Sequence, residues 1–307
     1  MSSAPQKPSS QPLGHQLAAG TSTCAGCGAL QGIRLVHDIL DSKVFFVNAA
    51  GCMTLLSIYP FTPFAGAWLY TSMASAAAGG QGVRDALDIM LAGKRLPPQE
   101  DMQVVVLSGD GSAGGMGLSA TSGAMDRNLD FIYLCYDNEG YGNTGYQLSA
   151  ATPHGARTTT STSGNPGYKK ELFDIWTAHK PAYAATICGA EPGDLRKKVE
   201  TLKGIKGPRL LLALSPCPTA WHFEPADTIT LGKLAVACGL WPLKEYKEGR
   251  LVHTKVPKKT GRRPQVEEYL RLQGRYRHLF APRRNDRVIS EIQNRVDRYW
   301  EKVTDEG

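Results

Sequence analysis

Apolar and polar positions along this chain follow two alternating periods. From Leu30 to Leu40 the apolar residues Leu30, Ile33, Val36, Ile39 and Leu40 recur at helical spacing, and Asp41-Ser42 ends that helix. Val44–Val47 is a short apolar run leading into Asn48-Ala-Ala-Gly51-Cys52. Residues 65–95 are dense in Ala and Gly, which suits a closely packed helix whose backbone approaches another element. Gln103–Leu107 and Phe131–Tyr136 are continuous apolar runs of buried-strand type, bridged by a small-residue helix ending near Arg127. Two such strands joined by a helix form a βαβ unit with parallel strands and a right-handed crossover. A long Gly/Thr/Ser loop follows over roughly 139–170, then a helix near 170–178, a strand near 182–188, a helix near 192–203 and a strand over 209–215. The alternation predicts an α/β fold with an open, doubly wound, mainly parallel sheet. Past Trp241 the pattern lapses into Gly/Pro/Lys/Arg-rich chain, with a last helix from about 285 to 303.

Composition narrows the picture. The 307 residues are 42% hydrophobic and 21% charged, as expected of a folded chain, and no apolar run is long enough to cross a bilayer. Residues 1–20 are rich in Ser, Pro and Gln and lack an apolar signal core, so they read as a mobile extension. We therefore expect three parts: the extension 1–20, a domain over 21–240, and a C-terminal tail over 241–307 that packs on partner subunits. The net charge of +7 belongs to that tail, which from Lys244 onward carries 17 basic against 10 acidic residues while the rest is balanced. A basic tail with interspersed aromatics suits a partner surface, its own domain or RNA; the domain itself is not built to grip nucleic acid. Seven cysteines without a secretory signal point to a reducing, cytoplasmic setting, where clustered thiols serve as ligands.

Two constellations carry chemistry. Gly109-Asp110-Gly111 closes one strand and Asn138 closes the next, 28 residues after Asp110. That edge of an open sheet is where ligands bind. The glycines let backbone N–H groups approach a diphosphate, and Asp110 and Asn138 offer oxygens to Mg²⁺. Taken alone, Gly-Asp-Gly is equally an ordinary turn. The second constellation is sulfur: Cys24 and Cys27 in a C-x-x-C, Cys52 after a glycine, and Cys217 in Ser-Pro-Cys-Pro all fall in loops. Cys135, Cys188 and Cys238 fall in strand-like or helix-like runs and read as small buried hydrophobes. Four thiolates suit an iron–sulfur cluster, structural zinc or no metal at all, and the residue types alone leave these open.

Taken together, these motifs resemble a known family. Gly109-Asp110-Gly111, 26 intervening residues and Asn138 are similar to the thiamine diphosphate fingerprint. The continuation Asn138-Glu-Gly140-Tyr-Gly-Asn143-Thr144-Gly145-Tyr146-Gln147 is similar to the diphosphate-binding β subunit of the 2-oxoacid:ferredoxin oxidoreductases, and the likeness runs over roughly 20–282. The resemblance implies the thiamine diphosphate-binding fold. It also implies that Asp110, Asn138 and the Gly140 carbonyl hold Mg²⁺. Gly51, Cys52, Gly109, Asp110, Gly111, Ser112, Asn138, Asn143 and Thr144 would contact the cofactor, with Asn143 as the catalytic side chain beside the thiazolium. It assigns Cys24, Cys27, Cys52 and Cys217 to a [4Fe–4S] cluster.

As an activity, the resemblance implies oxidative decarboxylation of a 2-oxoacid, acyl transfer to coenzyme A and electron transfer to ferredoxin, as in anaerobic metabolism. The pyrimidine-binding half of the cofactor site would come from an α subunit, with γ and ferredoxin-like δ subunits completing the complex, and no nucleic acid or membrane partner. Departures fall at Ala25, Ala29, Met53 and Gly145-Tyr146, which leave the choice of 2-oxoacid open. The competing readings are a non-oxidative thiamine decarboxylase or synthase half, and a zinc-stabilised module binding nucleic acid. His154 reads as a substrate contact or a loop cap, and His222 as packing beside Cys217.

Overall fold

The structure, a computed structural model, describes residues 16–58, 62–257 and 263–305. Eight strands form one sheet: β1 (Val44–Ala49), β2 (Ala67–Thr71), β3 (Gln103–Gly109), β4 (Phe131–Asp137), β5 (Tyr183–Cys188), β6 (Pro208–Leu214), β7 (Leu243–Lys247) and β8 (Arg250–Lys255). Their spatial order is β2-β1-β3-β4-β6-β5-β7-β8. The first six in that order are parallel, and β7 and β8 extend the sheet antiparallel from β5. The helices are α1 (Gly28–Leu40), α2 (Ala76–Ala92), α3 (Leu118–Asp126), α4 (Leu172–Ala178), α5 (Pro192–Lys203), α6 (Pro218–Trp221), α7 (Thr228–Ala237), α8 (Val266–Arg271) and α9 (Asp286–Asp305).

Alternation along the strands sorts the helices onto two faces. Val105, Leu107, Ile132 and Leu134 point to a layer shared with Ile33 and Val36 of α1 and with Leu195 and Val199 of α5. Val104, Val106, Tyr133 and Cys135 point the other way, into a layer with α2, α3, α4, α7, α8 and α9. Both faces are covered, which is why β3, β4 and β6 read as unbroken apolar runs. The Ala/Gly density of α2 has a packing reason: a Cβ on Gly80 would lie 2.5 Å from Val106 Cγ2, so only glycine lets this helix sit so close to β3.

Three expectations needed correction. Ala67–Thr71 lies within the stretch read as helix, yet pairs with β1 as an edge strand. Its half-exposed residues give no continuous apolar run. The pattern past Trp241 does not lapse into irregular chain. β7 and β8 form a hairpin whose turn residues, Glu248 and Gly249, both have positive φ, the geometry of a two-residue I′ turn. Its charged residues are tolerated because β8 lies at the sheet edge in solvent. Beyond it, Val266, Tyr269, Tyr276, Val296 and Trp300 are buried in the core of this same chain, so much of the expected tail belongs to the domain. Of the expected extension, residues 1–15 lie outside the described residues. Leu17 is buried and bridges to Phe64, and Gln16 N donates to Asp38 Oδ1. The most basic stretch, residues 258–262, also lies outside them.

The C-terminal helix is locked at one point. Trp300 Nε1 donates to the Gly239 carbonyl at 3.0 Å, and a Cβ on Gly239 (φ +85°) would stand 2.3 Å from that indole nitrogen. Gly239→Ala is therefore expected to cost about 2–3 kcal/mol through backbone strain and displacement of Trp300, seen as a lowered urea midpoint.

Candidate functional site

Four adjacent strands, β1, β3, β4 and β6, aim their carboxyl ends at one region, and the sequence motifs sit on their exits. Cys52 opens the turn after β1, Asp110 follows β3, Asn138 follows β4, and Ser215-Pro216-Cys217 follow β6. The Cys24–Cys27 turn comes from outside the sheet and is docked onto this edge. Gly28 N donates to the Pro216 carbonyl at 3.1 Å, and Thr228 Oγ1 donates to the Gly26 carbonyl at 2.6 Å. Cys27 caps α1, its sulfur accepting from Leu30 N.

These loops enclose a cavity of about 620 Å³ whose walls include Cys24, Cys27, Cys52, Cys217, Asn138 and Asn143. Burial pushes the Cys52 thiol up to about 12, with Cys217, Cys27 and Cys24 adding repulsion. Burial and the neighbours Cys27 and Cys24 push Cys217 up to about 11. Cys27 is raised chiefly by burial as well. Four thiolates brought this close repel unless a cationic centre is shared among them. Among the described residues, however, no three or more His, Cys, Asp or Glu side chains are set to hold a single metal ion. A zinc ion needs all four sulfurs about 2.3 Å from one point. Here the four thiols line one cavity, a lining that fits a cysteine-ligated centre. Cys135 and Cys188 are buried in β4 and β5, and Cys238 lies buried just past α7.

The oxygen site lies one side chain deeper. Asp110 is 1% exposed and outside the cavity lining, behind Asn138. The Asn138 amide oxygen faces Asp110 Oδ1 and the Gly140 carbonyl. Three oxygens meeting without a proton among them make a donor set that a hard cation satisfies. Turned over, the amide nitrogen would lie 2.8 Å from Asp110 Oδ1 and 2.7 Å from Gly140 O, filling the same gap by hydrogen bonds. With the oxygen inward, Asn138 Nδ2 donates to Cys52 Sγ at 3.6 Å, so the oxygen and sulfur sites touch through one amide. A Cβ on Gly142 would lie 2.9 Å from Asn138 Nδ2 and 3.2 Å from Cys52 Sγ, which explains a glycine there.

Burial, and next the charge of Asp137, hold the Asp110 carboxyl well above the usual carboxylate range, against the Ser149 hydroxyl that donates to it at 2.5 Å. Asp137 is raised by burial too, although Lys169 opposes this. Lys169 Nζ sits 2.6 Å from Asp137 and 3.3 Å from Glu139. Burial works against its charge, but the two acids outweigh it and hold Lys169 above its ordinary value. Arg275 Nη2 holds Glu139 from the other side at 2.6 Å. Glu139 has φ +63°, so the bend 138–140 adopts a strained backbone pinned by two cations.

Of the remaining expected residues, Gly109 and Gly111 flank Asp110 at the end of β3, and the Ser112 hydroxyl donates to the Met73 carbonyl. Gly51 precedes the Cys52 turn. Asn143 is exposed at the cavity, and Thr144, also exposed, lies outside the lining and bonds to Gln147. His222 lines the cavity with a left-handed backbone. His154 lies elsewhere, paired with Glu291 at 3.1 Å and stacked on Tyr168. Lys169, Ser149 and Arg275 are the residues that motif reading missed; each is a lone side chain with no local signature, whereas Trp221 follows the Pro216-Cys217-Pro218-Thr219 stretch.

Comparison with known proteins identifies the family and the fold. Residues 49–212 match the family model for the thiamine pyrophosphate enzyme C-terminal, TPP-binding domain. Pyruvate synthase subunit PorB of Methanothermobacter thermautotrophicus is 39% identical over 94% of this chain and 96% of its own. The corresponding subunit of Thermotoga maritima is 35% identical over 94% of this chain and 90% of its own. Ketoisovalerate oxidoreductase subunit VorB of Pyrococcus furiosus is 34% identical over 95% of this chain and 93% of its own. Among solved structures, 2-oxoglutarate:ferredoxin oxidoreductase from Magnetococcus marinus, with 2-oxoglutarate, coenzyme A and succinyl-CoA bound, superposes with a TM-score of 0.56 over 67% of each chain at 21% identity, a likeness of fold.

Proposed function

Because this chain belongs to the family of thiamine diphosphate-dependent 2-oxoacid:ferredoxin oxidoreductase β subunits, we propose that its two joined sites work as one redox centre. In this reading Asp110, the Asn138 amide oxygen and the Gly140 carbonyl hold Mg²⁺ on the diphosphate. Cys24, Cys27, Cys52 and Cys217 hold a [4Fe–4S] cluster. Thiamine diphosphate, when bound, supplies the electron sink that lets a 2-oxoacid lose CO₂, and the cluster accepts electrons singly. The single observation that carries the proposal is the cavity in which Asn138 and Asn143 share walls with all four cysteines.

The chain's own contribution is placement and charge. Lys169 and Arg275 pair with the acids on either side of Asn138 and hold the bend that carries its amide. Asn143 stands at the cavity, where its amide can hold an acceptor of the reacting group. Gly51, Gly109, Gly111, Ser112 and Thr144 border the diphosphate in this reading. The substrate is a 2-oxoacid, pyruvate in the first instance, taken with coenzyme A to acyl-CoA and CO₂ in the cytoplasm, with electrons passing to ferredoxin. Partner α, γ and δ subunits supply the pyrimidine half of the cofactor site and the onward electron path. The edge of β8, with Leu251 and Val252 half exposed, faces such a partner.

The test is to purify the chain co-expressed with its partner subunits. Four iron atoms per copy of this chain beyond those of the ferredoxin-like subunit, bound thiamine diphosphate and coenzyme A-dependent viologen reduction with pyruvate are expected, with 2-oxoisovalerate, 2-oxoglutarate and aryl-glyoxylates assayed alongside. One zinc in place of iron, or decarboxylation without viologen reduction, defeats the reading.

A further inference from the structure

Arg275 reaches the site from far along the chain, between α8 and α9, and is 1% exposed. Its guanidinium lies 3.9 Å from the Trp221 ring, with Nη2 2.6 Å from Glu139, Nη1 2.9 Å from the Tyr146 hydroxyl and Nε 2.8 Å from Gln273. Trp221 closes the short helix that starts at Cys217, and its indole N–H donates to the Asn138 carbonyl at 2.8 Å. Gly274 N donates to the His222 carbonyl at 2.9 Å, docking the same segment onto the Cys217 turn. One side chain therefore touches both the bend that carries Asn138 and the helix that carries Cys217, and it lines the cavity shared by the cysteines.

We propose that Arg275 is a positioning residue whose fixed positive charge raises the reduction potential of the cluster held by the four cysteines, while its ion pair with Glu139 locks the metal-holding bend to the Cys217 turn. This rests on the proposed cluster ligation. A cluster's potential follows the net charge, hydrogen bonding and exposure around its sulfurs. The buried guanidinium is little screened by solvent, so the part of its charge that Glu139 leaves uncompensated acts on the cavity. The Arg275 charge is felt at Cys217, where it opposes the rise of that thiol. Glu139 compensates part of the same charge, so removing either partner should shift the cluster in opposite directions.

The experiment uses the assembled complex and an EPR-monitored redox titration of the reduced cluster, with iron content measured on every sample. Arg275→Met is expected to make the cluster about tenfold harder to reduce at a fixed poise, equivalent to about −59 mV for one electron. Glu139→Gln is expected to make it easier to reduce by a smaller factor. Arg275→Lys, which keeps the charge and loses the fork, should keep the wild-type midpoint within about threefold. A merely structural role would move Arg275→Met and Glu139→Gln the same way, or move Arg275→Lys as far as Arg275→Met. Either pattern, or unshifted midpoints at full iron content, overturns the proposal. If Arg275→Met does not assemble, the signs of Glu139→Gln and Arg275→Lys decide it. A wild-type complex with no iron beyond that of its ferredoxin-like subunit would instead overturn the cluster assignment beneath it.

Discussion

Replacing Cys217 by serine in the assembled complex is expected to remove the iron assigned to this chain, leaving that of the ferredoxin-like subunit, and to lower coenzyme A-dependent viologen reduction at least a hundredfold. Cys217 comes from the far end of the domain, on the exit of β6, and no other thiol among the described residues lines the cavity beyond Cys24, Cys27 and Cys52. A serine hydroxyl is a poor replacement because it is a far weaker acid than a thiol and a harder donor to iron. The control is Cys238→Ala. That thiol is buried outside the cavity and donates to the Ala235 carbonyl at 3.6 Å. This change should cost about 1 kcal/mol of stability and leave iron content intact. Iron analysis and absorbance of the two variants, side by side, check the assignment. Equal iron in both would remove Cys217 from the ligand set.

Asp110→Asn should separate binding from stability. The buried carboxylate is tolerated in order to meet a cation, so the amide should weaken Mg²⁺-dependent thiamine diphosphate binding at least a hundredfold. Yet the same change should raise the melting temperature of the cofactor-free protein by a few degrees at pH 8, because it deletes a charge that burial penalises. The sign in pH follows. Asp110 is raised in the fold, so its contribution to stability is complete below the usual carboxylate value. That contribution is lost as pH rises through the raised value. Metal binding runs the other way, since only the ionised carboxylate ligates, and tightens over the same interval. Melting curves at pH 5 and pH 8, with and without Mg²⁺ and thiamine diphosphate, should show both slopes in the wild type and both reduced in the variant, where Asp137 still titrates.

What the sequence made legible is what local pattern can encode. β3, β4 and β6 are buried on both faces, so their runs are unbroken, and the residues on their exits were readable as motifs. β2, β7 and β8 sit at the sheet edges, half in solvent, and their mixed composition carries no such run. The thiols and the Gly-Asp-Gly turn announce themselves by residue type. Lys169 and Arg275 do not: nothing near either distinguishes it from other basic residues, and only the tertiary fold brings them to Asp137 and Glu139. Ser149, which donates to Asp110, was hidden in the same way inside a long polar loop.

The docking of the Cys24–Cys27 turn on Pro216, sealed by the Gly28 amide, has a consequence for biogenesis. A centre built on these four sulfurs needs thiols from both ends of the domain, so a nascent chain still lacking β6 has no complete nest to offer. In the proposed reading iron delivery then becomes a late event, possible only once β6 and Cys217 have been made. A release-stalled fragment ending before Pro216 should stay colourless however much iron and sulfide it is given.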